Sequence, residues 1–291
     1  MAEPARLTAH CLIGKSMDKS DKLNIVFFGE DSFSDIVLKS LIEAGHRVKM
    51  VVTPYYENNI YKRMAVTCER NGIPFVRARK INSEEVREAV SLAMPDIGVI
   101  SHFERLIKRP LLDIPRLGFI NLHPSLLPDY RGMAPQHWPI INREKETGIT
   151  IHYVDETADT GDIIVQRWIP LTEDMYVSDL QMRWREEYKT IVVEAIGRIL
   201  SGAPVIHQKE MPGRYYGKLT DDQRLIDMQG SVHDAYAKVR GLSLPYAGAK
   251  IDKQVILRAH IGVEGEGADN GIRFRDGILI PDLVRNDSSQ Q

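Results

Sequence analysis

The chain has 291 residues, of which 43% are hydrophobic, and it carries a formal net charge of −2 at pH 7. This length allows one large domain with a sizeable core and a smaller second domain. The near-neutral charge argues against binding of nucleic acid through a strongly basic surface. All apolar runs fall short of the roughly 20 residues that cross a bilayer, so we expect no membrane-spanning helix.

The two cysteines, Cys11 and Cys68, are too few for a disulfide framework and lack the spacing of metal ligands. We therefore expect a protein of the reducing cytoplasm. Residues 1–21 lack the apolar centre of a signal peptide, and Met17 stands shortly before the first strand pattern. Residues 1–21 are predicted to be a flexible N-terminal segment.

From residue 22 onward, short apolar runs alternate with amphipathic stretches, which is typical of a parallel sheet flanked by helices. Strands are predicted at residues 23–28, 47–52, 75–77, 96–101, 118–122, 149–154 and 163–168. Helices are predicted from residue 31 or 32 to 43, from 60 to 71, from 82 or 83 onward, and from 177 to 200. The predicted fold class is α/β, with a doubly wound, mostly parallel sheet and helices on both of its faces.

The last part of the chain has a different pattern. One helix is predicted near residues 232–240, and short strands are predicted at 255–260 and 272–280. We therefore predict a main domain over residues 22–202 and a small, mainly β, C-terminal α+β subdomain over residues 203–291.

A polar motif, NLHPSLLP at residues 121–128, begins where the fifth predicted strand ends. Ligands of open α/β sheets gather at the carboxyl ends of strands, so Asn121 and His123 are well placed for a reaction site. A second motif, DTGD at residues 159–162, lies in the polar loop after the next strand. That loop is expected to present Asp159 beside His123, although Asp-Thr-Gly also suits a simple turn.

Asn121, His123 and Asp159 combine an amide, an imidazole and a carboxylate, which suit the transfer of an acyl group to an amine. An amide can donate a hydrogen bond to a developing oxyanion. An imidazole can move a proton, and a carboxylate can fix the imidazole tautomer or take the proton itself. A lone histidine is more often structural, so this hypothesis depends on all three residues.

Two long stretches, GFINLHPSLLPDYRGMAP at residues 118–135 and TGITIHYVDETADTGDIIVQ at residues 147–166, resemble the folate-dependent formyltransferases. That family includes methionyl-tRNA, glycinamide ribonucleotide and sugar-nucleotide N-formyltransferases. The resemblance implies that Asn121, His123 and Asp159 are catalytic and that the main domain is the catalytic domain. It also implies that 10-formyltetrahydrofolate donates the formyl group. The chemistry of the transfer requires no metal, and no His/Cys cluster in the sequence suggests one.

The resemblance further implies a set of folate contacts. Residues 102–107 match the family segment whose backbone lines the folate pocket, although SHFER at residues 101–105 departs from the small and apolar residues common there. The predicted folate-contacting residues are Phe103, Arg105, Leu106, Ile107, Asp155 and Asp162. Of these, Asp162 equally suits a turn.

Three residues are predicted to contact the acceptor, namely Ser125, Arg131 and Trp138. Each has a simpler alternative: Ser125 suits the capping of a turn, Arg131 suits a solvated surface, and Trp138 suits core packing. Arg131 is predicted as an acceptor contact because a guanidinium group binds anionic groups well. His152 lies on an alternating strand, so it faces either the cleft or the core.

We predict the class of acceptor from features of the family's tRNA enzymes that this chain lacks. Those enzymes usually carry a Gly- and Lys-rich insertion after the second strand and a larger basic C-terminal barrel. Here residues 53–59, TPYYENN, are aromatic and polar, and the region beyond residue 202 mixes acidic and basic residues about evenly. The order of its predicted elements resembles the tails of sugar-nucleotide formyltransferases.

We therefore predict that the acceptor is the amino group of a nucleotide-linked amino sugar. A methionyl-tRNA formyltransferase is the first alternative. A non-catalytic folate-binding or scaffold protein is the second. The C-terminal strands suit either the interface of a homodimer or a lid over the acceptor.

Overall fold

The computed structural model describes residues 22–57, 60–208, 210–263 and 270–287. The predicted flexible segment, residues 1–21, lies outside these ranges together with Cys11. Among the described residues, every helix is too short or too polar to cross a bilayer.

A seven-stranded sheet forms the centre of the main domain. The strands up to residue 170 are β1 (Asn24–Gly29), β2 (Arg47–Pro54), β3 (Phe75–Ala78), β4 (Ile97–Ser101), β5 (Phe119–His123), β6 (Arg131–Gly132), β7 (Glu146–Tyr153) and β8 (Ile163–Pro170). The sheet has the order β3-β2-β1-β4-β5-β7-β8, and β6 belongs to a separate ladder. Strands β1 to β5 run parallel, whereas β7 and β8 each run antiparallel to the preceding strand in the order. The predicted mostly parallel sheet is confirmed.

Helices cover both faces of this sheet. They are α1 (Ser32–Glu43), α2 (Lys62–Asn71), α3 (Glu84–Ala93), α4 (Trp138–Ile141), α5 (Val177–Glu187), α6 (Ile191–Leu200) and α7 (Val232–Leu242). Side chains of α1, α2, α5 and α6 share one apolar core with the sheet, whereas α3 and the 3₁₀ turn Leu111–Asp113 share the core of the opposite face. Burial on both faces explains the continuously apolar central strands and confirms the doubly wound prediction.

The single helix predicted over residues 177–200 is wrong, because the chain turns at residues 188–190 between α5 and α6. The side chain of Tyr188 at this turn is fully buried. Helix α5 packs toward α7, whereas α6 packs on β8 and α1. Apolar residues continue at helical spacing on both sides of the turn, so the pattern did not reveal the change of direction.

The C-terminal part forms a four-stranded antiparallel sheet with α7 packed against it. Its strands are β10 (Ala249–Ile251), β11 (Gln254–Ile261), β12 (Ile272–Phe274) and β13 (Gly277–Asn286), whereas β9 (Tyr215–Tyr216) pairs with β6. The single strand predicted over residues 272–280 is wrong, because Arg275 and Asp276 form the two-residue turn of a hairpin. The mainly β character is confirmed, and the domain boundary after residue 202 remains a prediction.

Gly98 in β4 has no room for a side chain, so we expect Gly98→Ala to destabilise the fold. A Cβ atom there would lie 2.1 Å from Cδ1 of the Phe119 ring on β5, and overpacking typically costs about 1–3 kcal/mol. The matched control is Gly197→Ala within α6, where nothing lies within 4 Å of the added Cβ. Alanine in a helix interior is favoured over glycine by roughly 0.5–1 kcal/mol. Thermal unfolding should show a lower melting temperature for the first variant and a higher one for the second, and equal values would contradict the packing argument.

Candidate active site

Asn121 and His123 lie at the carboxyl end of β5, where the chain leaves the sheet. In the antiparallel pairing of β5 with β7, Asn121 stands directly opposite His152. Pro124 follows, and proline has no N–H group with which to continue the ladder. The strand therefore presents both predicted side chains at the edge where open α/β sheets bind ligands.

Asp159 lies in the loop between β7 and β8, and its carboxylate reaches the pair on β5. Oδ1 lies 3.4 Å from Nδ2 of Asn121, 3.6 Å from Nδ1 of His123 and 3.4 Å from Nε2 of His152. Oδ2 accepts a hydrogen bond of 2.8 Å from the backbone N–H of Gly132. The Asp159 backbone adopts a left-handed φ of 57°, which aspartate tolerates better than most residues. The three predicted catalytic side chains thus lie together, with a second imidazole among them.

The backbone sets the orientation of the His123 ring, because Nε2 lies 2.8 Å from the carbonyl oxygen of Tyr130. A carbonyl oxygen only accepts hydrogen bonds, so Nε2 carries a proton and donates a hydrogen bond to this oxygen. Nδ1 is left facing Asp159. The Tyr130 carbonyl, and not the carboxylate, therefore fixes the tautomer of His123. The Asp159 carboxylate stays available to take part in proton transfer at Nδ1.

Burial lowers the pKa of the His123 imidazole below its ordinary value, because the charged ring loses hydration, and the charge of Asp159 opposes this only in part. For Asp159, burial alone raises the carboxyl pKa, but the two neighbouring imidazoles and the Gly132 N–H hold that pKa below its ordinary value. The resting site therefore combines an ionised carboxylate with a neutral imidazole near neutral pH. Such a pair can accept a proton.

His152, whose direction the sequence left open, faces Asn121 and Asp159. Its Nδ1 donates to the carbonyl oxygen of Tyr153 at 2.7 Å. Its Nε2 lies 3.2 Å from Nδ2 of Asn121. Together with the longer bond to Asp159, this contact orients the Asn121 amide.

The six residues predicted to contact folate lie on two segments, one that follows β4, the strand paired with β5, and one in the loop that carries Asp159. Four of them follow β4 and two bound the loop between β7 and β8, namely Phe103, Arg105, Leu106, Ile107, Asp155 and Asp162. Phe103 packs edge-on against Phe28, with ring centres 5.5 Å apart, and Ile107 is buried in the core. Leu106 and Arg105 are exposed.

The two acidic members of this set bond to the protein itself. Asp155 accepts hydrogen bonds of 2.8 Å from the hydroxyls of Thr157 and Thr160, and Asp162 pairs with His207 at 2.8 Å. These bonds shape the loop between β7 and β8, and folate contact by either carboxylate remains a prediction. Within the described ranges, no three His, Cys, Asp or Glu side chains are grouped to hold a metal ion.

The three predicted acceptor contacts also bond or pack internally. Ser125 is fully buried, and its hydroxyl donates to a backbone carbonyl of the following turn at 2.9 Å, in line with its capping alternative. Arg131 donates from Nη2 to O and Oε1 of Gln208 at 3.0 and 3.1 Å. Trp138 packs on Tyr216 with ring centres 4.9 Å apart. Acceptor contact by these residues remains a prediction.

Sequence reasoning missed three contributors to the site, namely Tyr130, Gly132 and Gln208. The first two act through backbone groups, which leave no signature in residue type. Their only signal was a position inside the first matched stretch, residues 118–135. Gln208 lies in a segment without periodicity, so no pattern pointed to it.

The fold and the site together define a transferase of the open α/β class, in which an amide, an imidazole and a carboxylate meet at strand ends. The family profile described as Formyl transferase matches residues 23–196. The chain belongs to the formyl transferase family. The predicted enzyme class, a folate-dependent formyltransferase, is thereby confirmed.

Similar proteins include enzymes of two acceptor classes. The methionyl-tRNA formyltransferase of Geobacillus sp. (strain WCH70) is 34% identical over 227 residues, which are 76% of this chain and 71% of the relative. A solved sugar 3N-formyl transferase, with dTDP and 5-N-formyl-THF present, has a TM-score of 0.69 at 20% identity and covers 92% of this chain and 98% of its own. The N-formyltransferase from Helicobacter canadensis, in complex with folinic acid and dTDP-3-aminofucose, has a TM-score of 0.67 at 18% identity, with coverage of 91% and 99%. At such identities the two solved structures show a common fold.

Proposed function

We propose that this protein transfers the formyl group of 10-formyltetrahydrofolate to the amino group of a nucleotide-linked amino sugar. The observation that carries the formyl-transfer part is the meeting of Asn121, His123 and Asp159, in which the carboxylate lies 3.4 Å from the amide and 3.6 Å from the imidazole. Two solved relatives hold 5-N-formyl-THF or folinic acid. This supports a formylated folate as the donor.

The segment after β4 offers side chains that fit a folate. Phe103 is partly buried and Leu106 is 60% exposed, and an aromatic and an apolar side chain suit contact with the flat heterocycle. Arg105 is exposed and can pair with the acidic end of the donor. Chemically, a formylated folate supplies a formyl carbon attached to a nitrogen that can leave.

In the first step, the unprotonated amine forms a bond to the formyl carbon, and negative charge collects on the formyl oxygen. Asn121 donates to that oxygen from Nδ2. The bond from Nδ2 to Asp159 is long, at 3.4 Å, so exchanging it for a bond to an oxyanion costs little and gains a charge-assisted contact.

In the second step, the new ammonium centre loses a proton to the pair of His123 and Asp159. The bond between the formyl carbon and the folate nitrogen then breaks, and the same proton passes to that nitrogen. The products are a formamide and tetrahydrofolate, with no net gain or loss of protons. The lowered pKa of His123 suits this role, because the ring is neutral before the reaction and returns the proton readily.

The sugar acceptor is supported by the extent of the structural likeness. The sugar 3N-formyl transferase matches over 98% of its own length, so the likeness includes the C-terminal sheet as well as the main domain. The near-balanced charge of the region beyond residue 202 also suits an acceptor with few phosphates.

A methionyl-tRNA formyltransferase is the second candidate function, and the 34% identity to the Geobacillus enzyme favours it. A non-catalytic folate-binding protein is disfavoured, because all three reactive side chains are present and close together. A cytoplasmic location and a homodimer remain predictions.

The test is a screen of the purified protein with 10-formyltetrahydrofolate, nucleotide-linked amino sugars and charged initiator tRNA, in which formylated products are detected by mass. We expect turnover of an amino sugar that depends only mildly on salt, because a diphosphate presents few charges. An enzyme that tracks tRNA phosphates would lose affinity steeply as salt rises, since each neutralised phosphate releases counterions.

The control for the screen is Asn121→Ala, which should form product at least about 100-fold more slowly with the acceptor that reacts. Formylation of methionyl-tRNA without reaction of any amino sugar would replace the proposed acceptor with the second candidate. Absence of donor consumption with every amine would support the scaffold alternative.

A further inference from the structure

The chain beyond α6 returns to the active site at residues 206–208. Ile206 pairs with Ile163 of β8 through two backbone hydrogen bonds of 2.9 Å. This pairing directs the next residues toward the loop that carries Asp159. The family profile ends at residue 196, so this contact comes from outside the matched region.

Gln208 is fully buried and bridges two loops of the site. Its Nε2 donates to the carbonyl oxygens of Asp159 at 3.1 Å and Gly161 at 2.6 Å. Its Oε1 accepts from Nη2 of Arg131 at 3.1 Å. Since a guanidinium only donates and a carbonyl only accepts, these partners fix the orientation of the Gln208 amide.

The two loops joined by Gln208 both hold the Asp159 carboxylate. One loop includes Asp159 itself, in a left-handed conformation that needs support from its surroundings. The other includes Gly132, whose N–H bonds to the carboxylate at 2.8 Å. Gly161 adds a further constraint, because a Cβ there would collide with the carbonyl oxygen of Tyr153. The position of the carboxylate thus depends on how the two loops are held together.

We propose that Gln208 is a positioning residue for formyl transfer, which holds Asp159 at the distance from His123 that the proton transfer requires. This inference rests on the proposed function of the site. It extends the catalytic unit beyond the predicted domain boundary at residue 202, because a residue of the following segment sets the geometry of the reaction.

Two variants separate the effect of the hydrogen bonds that Gln208 donates from the effect of the shape of its side chain. Gln208→Met keeps the length of the side chain and removes every hydrogen bond that the side chain makes. Gln208→Glu keeps the shape and an acceptor for Arg131 but faces two carbonyl oxygens without a donor. Both should lower kcat by roughly 10- to 100-fold, because displacement of a reacting group by about 1 Å has an effect of this size. KM for the donor and the acceptor should stay near the values of the unaltered protein.

The control is Arg224→Met. Arg224 bonds to the carbonyl oxygens of Ala247 and Gly248 in the C-terminal part, so its loss also removes two hydrogen bonds to backbone carbonyls but leaves Asp159 in place. Its kcat should equal that of the unaltered protein. Rates are expressed per mole of folded protein, measured by circular dichroism.

A second readout does not depend on the acceptor. Asp159 raises the pKa of His123 against the effect of burial, so a displaced carboxylate in Gln208→Met should shift the NMR titration of the His123 ring to lower pH. If the unaltered protein formylates no amine, the proposed function fails, but this titration still tests the position of Asp159. An unchanged titration together with unchanged kcat in both variants would overturn the proposal. Loss of folding in both would also overturn it, since Gln208 would then support the fold and not the site.

Discussion

Asn121→Ala is expected to lower kcat by a factor of roughly 100 to 1,000, which is the usual effect of losing one oxyanion donor. Nδ2 of Asn121 is held by His152 at 3.2 Å and by Asp159 at 3.4 Å, so the amide is oriented before the substrate arrives. Alanine leaves the oxyanion without this donor. KM should change little, because the lost contact forms mainly in the transition state. Steady-state kinetics in which the concentrations of donor and acceptor are each varied measure kcat and KM.

The matched control for this experiment is Asn71→Ala at the end of α2. Its amide bonds to the carbonyl oxygen of Thr67 at 2.8 Å, so the substitution removes the same functional group from a place unconnected with the site. We expect this variant to keep the kcat of the unaltered protein. A folded Asn121→Ala enzyme with undiminished kcat would remove Asn121 from the mechanism.

Asp159→Asn is expected to lower kcat by about 100- to 10,000-fold, the range in which a positioned acid or base contributes. The amide that replaces the carboxylate keeps the size of the side chain but cannot take a proton from the amine. His123→Gln should have an effect of similar size. The double variant should be no slower than the slower single variant, because groups that act as one unit are not additive.

Asp159→Asn should also shift the dependence of activity on pH in a defined direction. Burial lowers the pKa of His123, and the negative charge of Asp159 partly restores it. In Asp159→Asn the pKa should fall further, so the ring stays neutral to lower pH. The acidic limb of the profile of kcat/KM against pH should then move to lower pH, since that profile reports the free enzyme.

The control for the pH profile is Asp234→Asn, which removes an exposed carboxylate that pairs with Arg143 at 3.1 Å. Its acidic limb should coincide with that of the unaltered protein. If Asp159→Asn shows the same coincidence, or if the effects of the two single variants multiply in the double variant, His123 and Asp159 do not act as a pair.

Much of the fold was readable from local pattern. The predicted strands at residues 23–28 and 96–101 correspond to β1 and β4, because a strand buried on both faces needs a continuous apolar run. The turn at residues 188–190 and the hairpin turn at Arg275 and Asp276 escaped prediction. Both depend on which neighbours the flanking segments pack against, and the spacing of apolar residues carries no information about that.

Some features of the candidate site could likewise be predicted from the sequence, and others required the tertiary structure. Asn121, His123 and Asp159 could be predicted from residue type and from two motifs, because the amide, imidazole and carboxylate groups each have a characteristic reactivity. Only the tertiary structure decided that His152 faces Asn121 through the register of β5 and β7. It alone turned Nε2 of His123 to a backbone carbonyl and brought Gln208 beneath Asp159. These contacts join distant segments through strand register and backbone groups, neither of which a side-chain pattern records.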